Sequence, residues 1–262
     1  MTRLANPAVL ACPYRGHPVL QRRLASWRDF GTVFWSDGYA STLRLGTVDK
    51  LGRCPECAKL FWLDEAKELG VLPAGPRSLN WPWWRQLMYR LAGDPGGELS
   101  KLNAWNALPP TWQRAMAIES PEANDLRQAL AEGLGTTPER ESYLRTRLWW
   151  AGNDKDRGHQ GKVTMLPEEK QANKVALLAL IQAQPSEKRN QITESELLRE
   201  LGRFEEAIAL LKDAVAGDVF PAQIIVEKAL AGDVRVCEVS RTNPLGEFSV
   251  VTSAGTRPPG MI

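Results

Sequence analysis

Two short segments that begin with Cys-Pro constrain the fold of the N-terminal part of this chain more than any other feature. The first segment runs from Cys12 to His17 and the second from Cys54 to Ala58. Paired turns of the form C-P-x-C-G, separated by a hairpin, hold zinc in zinc ribbons, because each tight turn directs two thiolates at one tetrahedral ion. We therefore expect a small β-rich, zinc-ribbon-like module over residues 1–70, with a strand from Pro18 to Ser26 and a helix that begins at Asp64.

The first turn lacks one thiolate, because Arg15 stands where its second cysteine is expected. A guanidinium stays protonated and has no lone pair to give to a metal. Three outcomes are open. An imidazole nitrogen completes the site, Cys237 completes it from the far end of the chain, or no metal is bound and aromatic residues hold the module together. The first outcome is a site with one structural zinc and the ligands Cys12, His17, Cys54 and Cys57.

The rest of the chain has mainly helical patterns. Residues 71–82 are rich in proline and are predicted to form a linker, and residues 83–240 a helical domain. The first helix is indicated by apolar residues with i, i+3, i+4, i+7 spacing. Residues 241–262 are rich in glycine and proline and are predicted to be a loose C-terminal tail with one strand fragment at Phe248 to Val251. The predicted fold class is α+β, mainly α, with a β-rich zinc-ribbon-like N-terminal module followed by a tetratricopeptide-like helical array.

The tetratricopeptide-like character comes from one stretch, Leu197 to Leu211. Gly202 ends one helix, Phe204 opens the next, and the small Ala207 permits close helix packing. Phe204 is expected to be structural. Stacked repeats need about three copies for stability, and the chain has no second strong copy. An ordinary αα-hairpin in a bundle is therefore the alternative.

Four further motifs accompany the Cys-Pro turns. They are Trp35 to Gly38, Phe61 to Leu63, Arg140 to Asp154, and Arg199 to Ala207. In this order they resemble a family of uncharacterised bacterial proteins with an N-terminal zinc-ribbon-like module and a tetratricopeptide-like helical region. The resemblance covers most of residues 10–235 and implies the two-part fold, but no activity. The sequence departs from the family pattern at Arg15.

Composition and motifs argue against several functional classes. The net charge is +2, from 33 basic and 31 acidic residues, so no global field attracts nucleic acid or anionic lipid. Apolar stretches are shorter than the roughly 20 residues of a membrane span, and no secretory signal is evident, so we expect a cytoplasmic protein without a membrane partner. The two histidines, His17 and His159, have no convincing catalytic partner. We expect no enzymatic activity; a metal- or thiol-dependent enzyme is the least favoured alternative.

The remaining class is a protein-interaction module, an adaptor or immunity-type binder that acts through its helical region. Trp149 and Trp150 point about 100° apart on one helix, so both rings do not enter the same core layer. We expect one ring to face a protein partner, with Arg145 and Arg147 as a charged rim. The alternative is that each ring packs against a different helix. The segment from Asn153 to Val163 is expected to be mobile and dispensable for folding.

A nucleic-acid-binding zinc ribbon is the other alternative. Its evidence is a small basic surface with aromatic residues in the first module, which could follow a phosphate backbone. Acidic residues nearby dilute this surface. Its members are Arg15, His17, Gln21, Arg22, Arg23, Trp27 and Arg28.

Overall fold

The computed structural model describes residues 3–26, 31–41, 49–76, 78–94, 96–159, 165–242, 248–252 and 255–257. In chain order the strands are β1 (Arg3–Ala11), β2 (Pro18–Ser26), β3 (Val33–Trp35), β4 (Ala40–Ser41), β5 (Leu51–Arg53), β6 (Leu60–Trp62), β7 (Glu68–Val71), β8 (Glu238–Thr242), β9 (Phe248–Thr252) and β10 (Gly255–Arg257). The helices are α1 (Trp83–Ala92), α2 (Glu98–Asn106), α3 (Pro110–Gln113), α4 (Ala123–Ala131), α5 (Pro138–Asn153), α6 (Pro167–Gln182), α7 (Gln191–Glu200), α8 (Phe204–Leu210), α9 (Lys212–Ala216) and α10 (Ala222–Leu230). None of these helices is long and apolar enough to cross a membrane.

The chain divides into two compact units, and both are discontinuous in sequence. The first unit consists of Met1–Arg28 and Asp49–Pro121, and the second of Asp29–Val48 and Glu122–Ile262. These boundaries differ from the predicted ones at residues 70, 82 and 240. The difference arises because strand pairing joins segments that are distant along the chain, which local composition does not report.

Two hairpins form the β part of the first unit. β1 lies between β2 and β7 in an antiparallel sheet, and β5 pairs with β6 in a separate hairpin. A segment around Ile118 connects the hairpins: it bonds to Leu20 of β2 on one side and to Arg53 of β5 on the other. The hairpins are therefore fixed to each other, and each places a Cys-Pro turn at its end.

The segment 71–82, predicted as a linker packed through its aromatic rings, is part of the first unit. Leu72 and Trp81 are both buried, and Trp81 packs against Leu99 and Leu102 of α2. The proline-rich segment therefore has no regular secondary structure but is packed against the unit. The predicted helix after Asp64 is wrong: a turn there leads into β7.

The second unit contains α4 to α10 and a five-stranded sheet in the order β10-β9-β8-β3-β4, with all neighbours antiparallel. β3 pairs with β8, with Phe34 opposite Ser240. β9 coincides with the strand predicted at Phe248 to Val251, and the predicted loose tail is corrected in part, because β8 extends into it and β10 lies within it, up to Arg257. The β3–β4 hairpin belongs to this unit and not to the zinc-ribbon-like module.

The helical core of the second unit lies between α5, α6, α7 and α8. Its buried members are Trp149, Leu177, Leu178, Ile181, Leu197, Leu198 and Ala207. α7 and α8 form an αα-hairpin in which Gly202 has the left-handed φ of 77° that the predicted turn requires. The Ser195 hydroxyl donates to the Ala207 carbonyl at 2.9 Å and fixes the two helices together. The α+β class with mainly helical content is confirmed.

Candidate functional site

The first Cys-Pro turn connects β1 to β2. The Gly16 amide donates to the Cys12 carbonyl at 2.8 Å, and the Cys12 amide donates to the His17 carbonyl at 2.9 Å. Gly16 has a φ of 71°, a conformation that glycine adopts without steric cost. The turn thereby directs the Cys12 thiol and the His17 ring to the same side.

The second turn, between β5 and β6, repeats this hydrogen-bond pattern. The Ala58 amide donates to the Cys54 carbonyl at 2.9 Å, and the Cys54 amide donates to the Lys59 carbonyl at 2.9 Å. Ala58 has a φ of 58° and occupies the place of Gly16. Arg15 matches Cys57 in this correspondence and is exposed, as expected for a residue that does not ligate.

The two turns bring the predicted ligands together. The ligand atoms of Cys12, His17 and Cys54 all lie within 4.8 Å of one another. His17 Nε2 is 2.9 Å from Cys54 Sγ, and Cys57 Sγ is 3.8 Å from Cys12 Sγ. Cys237 lies in the second unit, where its amide donates to the Ser36 hydroxyl at 3.0 Å. The residue that joins the cysteine group of the first unit is His17.

The surroundings of the cluster suit a buried site. Cys12 and Cys54 pack among Ala8, Leu10, Val19 and Phe61. Burial raises the pKa of the Cys54 thiol to about 11, so a cation that binds there must displace its proton. Glu56 Oε2 lies 3.5 Å from His17 Nδ1. A carboxylate at this nitrogen fixes the ring and leaves Nε2 free to coordinate.

A second group of functional-type residues lies in the second unit, and the sequence did not predict it. Asp37, in the turn between β3 and β4, accepts from Asn153 Nδ2 at 3.0 Å and from Arg157 Nη2. The side chains of Asp37 and Arg157 are both fully buried. The Tyr39 amide also donates to Asp37 Oδ1, at 3.1 Å. Burial raises the pKa of Asp37, while Arg157 opposes that shift.

Glu200, at the end of α7, is the second buried carboxylate of this group. It accepts from Trp149 Nε1 and from Asn153 Nδ2, both at 2.9 Å, and Lys174 Nζ lies 3.1 Å away. Asn153 therefore donates to Asp37 and to Glu200 with one amide group. Burial, and secondarily Glu196, raises the pKa of Glu200 to about 7.

An adjacent buried ion pair joins Glu196 to Arg199. Arg199 donates to Glu196 at 2.8 and 2.5 Å and also donates to the carbonyls of Asp233 and Arg235. It therefore ties α7 to the segment that precedes β8. The carboxylates and cations of the network pair with each other, while Arg157 Nε has no hydrogen-bond partner among the described residues. We call these residues the buried charge network: Asp37, Asn153, Arg157, Lys174, Glu196, Arg199 and Glu200.

The proposed partner-binding residues on α5 have internal contacts. Trp149 is only 2% exposed, which excludes it as a surface contact. Trp150 is half-buried, and its indole donates to the Asp37 carbonyl at 3.0 Å. Arg145 donates to Glu141 at 2.7 Å, and Arg147 lies over the Trp150 ring. Trp149 thus lies in the helical core, and Trp150 packs beside the same core and against the β3–β4 turn, so the two rings do not pack against two different helices.

The expectation that the segment from Asn153 to Val163 is dispensable is corrected in its first part. Asn153 and Arg157 are buried members of the charge network. His159 Nδ1 lies 3.6 Å from Asp154 at the exposed edge. Residues 160–164 lie outside the described residues. The glycines and charged residues of this segment indicated a solvated loop, but the Arg157 side chain is buried, where it pairs with the Asp37 carboxylate.

Helix α1 of the first unit has the most unusual surface. Its large apolar residues are Trp83, Trp84, Leu87, Met88 and Leu91, and all of them are exposed. Its contacts to the unit come from the opposite side: the Tyr89 ring is 4.8 Å from the Trp81 ring, and Gln86 Nε2 donates to the Trp81 carbonyl at 3.1 Å. The helix therefore directs its apolar face to solvent, whereas an ordinary surface helix directs that face to the core.

Comparison of the chain with protein-family models, curated proteins and solved structures finds no match.

Proposed function

We propose that the protein is a non-enzymatic binding module whose first unit is a structural zinc ribbon. With Zn–S bonds of about 2.3 Å, tetrahedral coordination separates two sulfurs by about 3.8 Å. The Cys12–Cys57 distance of 3.8 Å equals that value, whereas His17 Nε2 and Cys54 Sγ lie at a hydrogen-bond distance of 2.9 Å and would separate when zinc binds. Two turns with one hydrogen-bond pattern and four soft or borderline ligands fit a structural Cys3His site, with Glu56 holding the His17 ring.

The zinc in this proposal stabilises the fold. A structural site is closed by four protein ligands, whereas a catalytic one keeps an open position for water or substrate. Cys12 and Cys54 are buried in the apolar cluster between the hairpins. Zinc would connect the two hairpins covalently through its ligands, and its binding free energy would become folding free energy.

The charged residues of the second unit support a non-enzymatic role. A catalytic carboxylate or base must reach a substrate. Asp37 and Glu200 are buried, and each accepts hydrogen bonds from neighbouring side chains. The network joins the β3–β4 turn to α5 and α7, so its work is to hold the unit together.

The binding role rests on a single observation, the outward-facing apolar side of α1. Monomeric soluble proteins rarely expose more than a few hundred Å² of contiguous apolar surface. With about 200 Å² per large side chain, the exposed fractions on α1 amount to roughly 600 Å². A face of that size, presented by a helix that is anchored through its polar side, is expected to be covered by a partner.

The test is site-specific photocrosslinking in the cell. A photoreactive side chain replaces Leu91, which is 77% exposed, and in a matched control it replaces Leu230, which is 73% exposed on α10. The proposal expects a crosslinked product at position 91 that is lost when Trp84 is replaced by glutamate. Equal crosslinking at both positions, or none at position 91, would refute α1 as the contact surface.

A further inference from the structure

The apolar face of α1 covers half of the helix. At 100° per residue, the apolar side chains from Trp83 to Ala92 fall within an arc of about 180°. Arg85 and Arg90 lie just beyond its two edges, and the helix contains no acidic residue. This arrangement is typical of helices that lie in the plane of a membrane interface.

The first unit holds α1 with this face outward. On the opposite side Tyr89 packs against the buried Trp81, and the Arg85 guanidinium lies 4.5 Å from the Trp81 ring. The helix cannot rotate its apolar side inward without losing these contacts. The face is therefore a fixed feature of the surface, about 15 Å long for ten residues at 1.5 Å each.

A second copy of the chain is a poor occupant. Two such faces would bury about 1,200 Å² in total, at the lower limit of a stable interface. The only charged residues of α1 are Arg85 and Arg90. In a symmetric dimer, α1 would therefore place basic residues at the rim of the interface on both sides. Like charges across a rim oppose association.

A protein groove is also a poorer fit than a flat surface. Helices that bind in grooves use a narrow stripe at i, i+3, i+4 and i+7. Here Trp83 and Trp84 occupy adjacent positions about 100° apart, and both are exposed. A bilayer interface accepts the whole half-cylinder at once, and tryptophan rings prefer that interface because they combine apolar area with a polar N–H.

We propose that α1 docks the first unit on an anionic lipid surface, with its apolar face in the headgroup region and Arg90 at lipid phosphates, while Arg85 stays on the Trp81 ring. This inference rests on the proposed binding role of α1. Long arginine side chains reach phosphates while their stems stay in the apolar layer. The expectation of no membrane partner came from the net charge of the whole chain and the lack of a spanning segment. Neither consideration excludes one locally basic, apolar helix face.

Vesicle co-sedimentation of the full chain tests the inference. Vesicles of phosphatidylserine with phosphatidylcholine are compared with phosphatidylcholine alone. We expect binding to the anionic vesicles that weakens at high salt, at least tenfold loss for Leu91→Glu, and about fivefold loss for Arg90→Gln. The matched control Leu230→Glu should bind as the parent does, and circular dichroism should show that each variant is folded.

The outcomes separate this inference from the proposed function. No binding to anionic vesicles, or equal loss for Leu91→Glu and Leu230→Glu, overturns the lipid inference. If Leu91→Glu instead abolishes self-association in sedimentation velocity, or if position 91 crosslinks to a protein in the cell, α1 is a contact surface but its partner is not a lipid. If crosslinking at position 91 also fails, both proposals fall.

Discussion

Replacing Arg157 by alanine should unfold the second unit more easily than any exposed substitution of the same kind. The Arg157 side chain is fully buried, and it donates to Asp37, to the Trp150 carbonyl at 2.7 Å and to Asp154 at 3.1 Å. Its removal leaves the buried Asp37 carboxylate without its cation. The loss of one partner from a buried ion pair costs about 3–5 kcal/mol.

The measurement is urea denaturation followed by circular dichroism, with thermal unfolding as a second readout. For a unit of this size, a cost of about 4 kcal/mol corresponds to a decrease of roughly 10 °C in the melting temperature. Arg203→Ala is the matched control, because Arg203 pairs with Glu206 at 2.6 Å in an exposed position. Exposed pairs contribute about 0–1 kcal/mol.

A double variant separates the lost charge from the lost volume. Asp37→Asn combined with Arg157→Met removes both charges and keeps most of the volume, so it should recover part of the loss of Arg157→Ala. The reasoning is refuted if Arg157→Ala costs less than about 1 kcal/mol, as the control does. It is also refuted if the double variant is less stable than the single one.

Two further predictions concern backbone and pH. Gly16→Ala should destabilise the first unit by about 1 kcal/mol, because the φ of Gly16 is 71° and no atom lies near the added methyl group. Ala58→Gly, at a φ of 58°, should be neutral or stabilising. Chemical denaturation of both variants checks these opposite signs, and equal effects would contradict them. The pKa of Glu200 is about 7 when folded and about 4.3 when unfolded, so the folded unit keeps a proton that the unfolded chain releases. The resulting stability, about 4 kcal/mol, is complete below about pH 4 and is lost as the pH rises through 7. A Glu200→Gln variant that shows the same pH slope as the parent would refute this.

Local patterns predicted those parts of the fold that depend on near neighbours. The strand from Pro18 to Ser26 and the helix around Leu87 are found at their predicted positions. The helix α2 was not predicted, since its apolar residues are few and only Leu99 and Leu102 are buried. The pairing of β3 with β8 lay beyond reach, because about 200 residues separate Phe34 from Ser240 and register over such distances leaves no local signal.

The candidate sites were predicted unevenly for a related reason. Cys12, Cys54 and His17 were recognised because metal ligands follow fixed spacings within each turn. Asp37 and Glu200 were not recognised, since a lone carboxylate in a turn or on a helix is usually solvated. Both carboxylates lie in motifs that contain tryptophan or buried leucine. This context could have predicted that each carboxylate is buried and has a partner inside the protein.

The proposed structural zinc site is tested most directly by measuring the metal content of the purified chain and three variants. Elemental analysis together with native mass spectrometry should find one zinc per chain, retained after mild chelation. His17→Ala should lose the metal, whereas Cys237→Ala and Arg15→Ala should retain it. A metal-free parent chain, or zinc that survives in His17→Ala and is lost in Cys237→Ala, would contradict the site formed by Cys12, His17, Cys54 and Cys57.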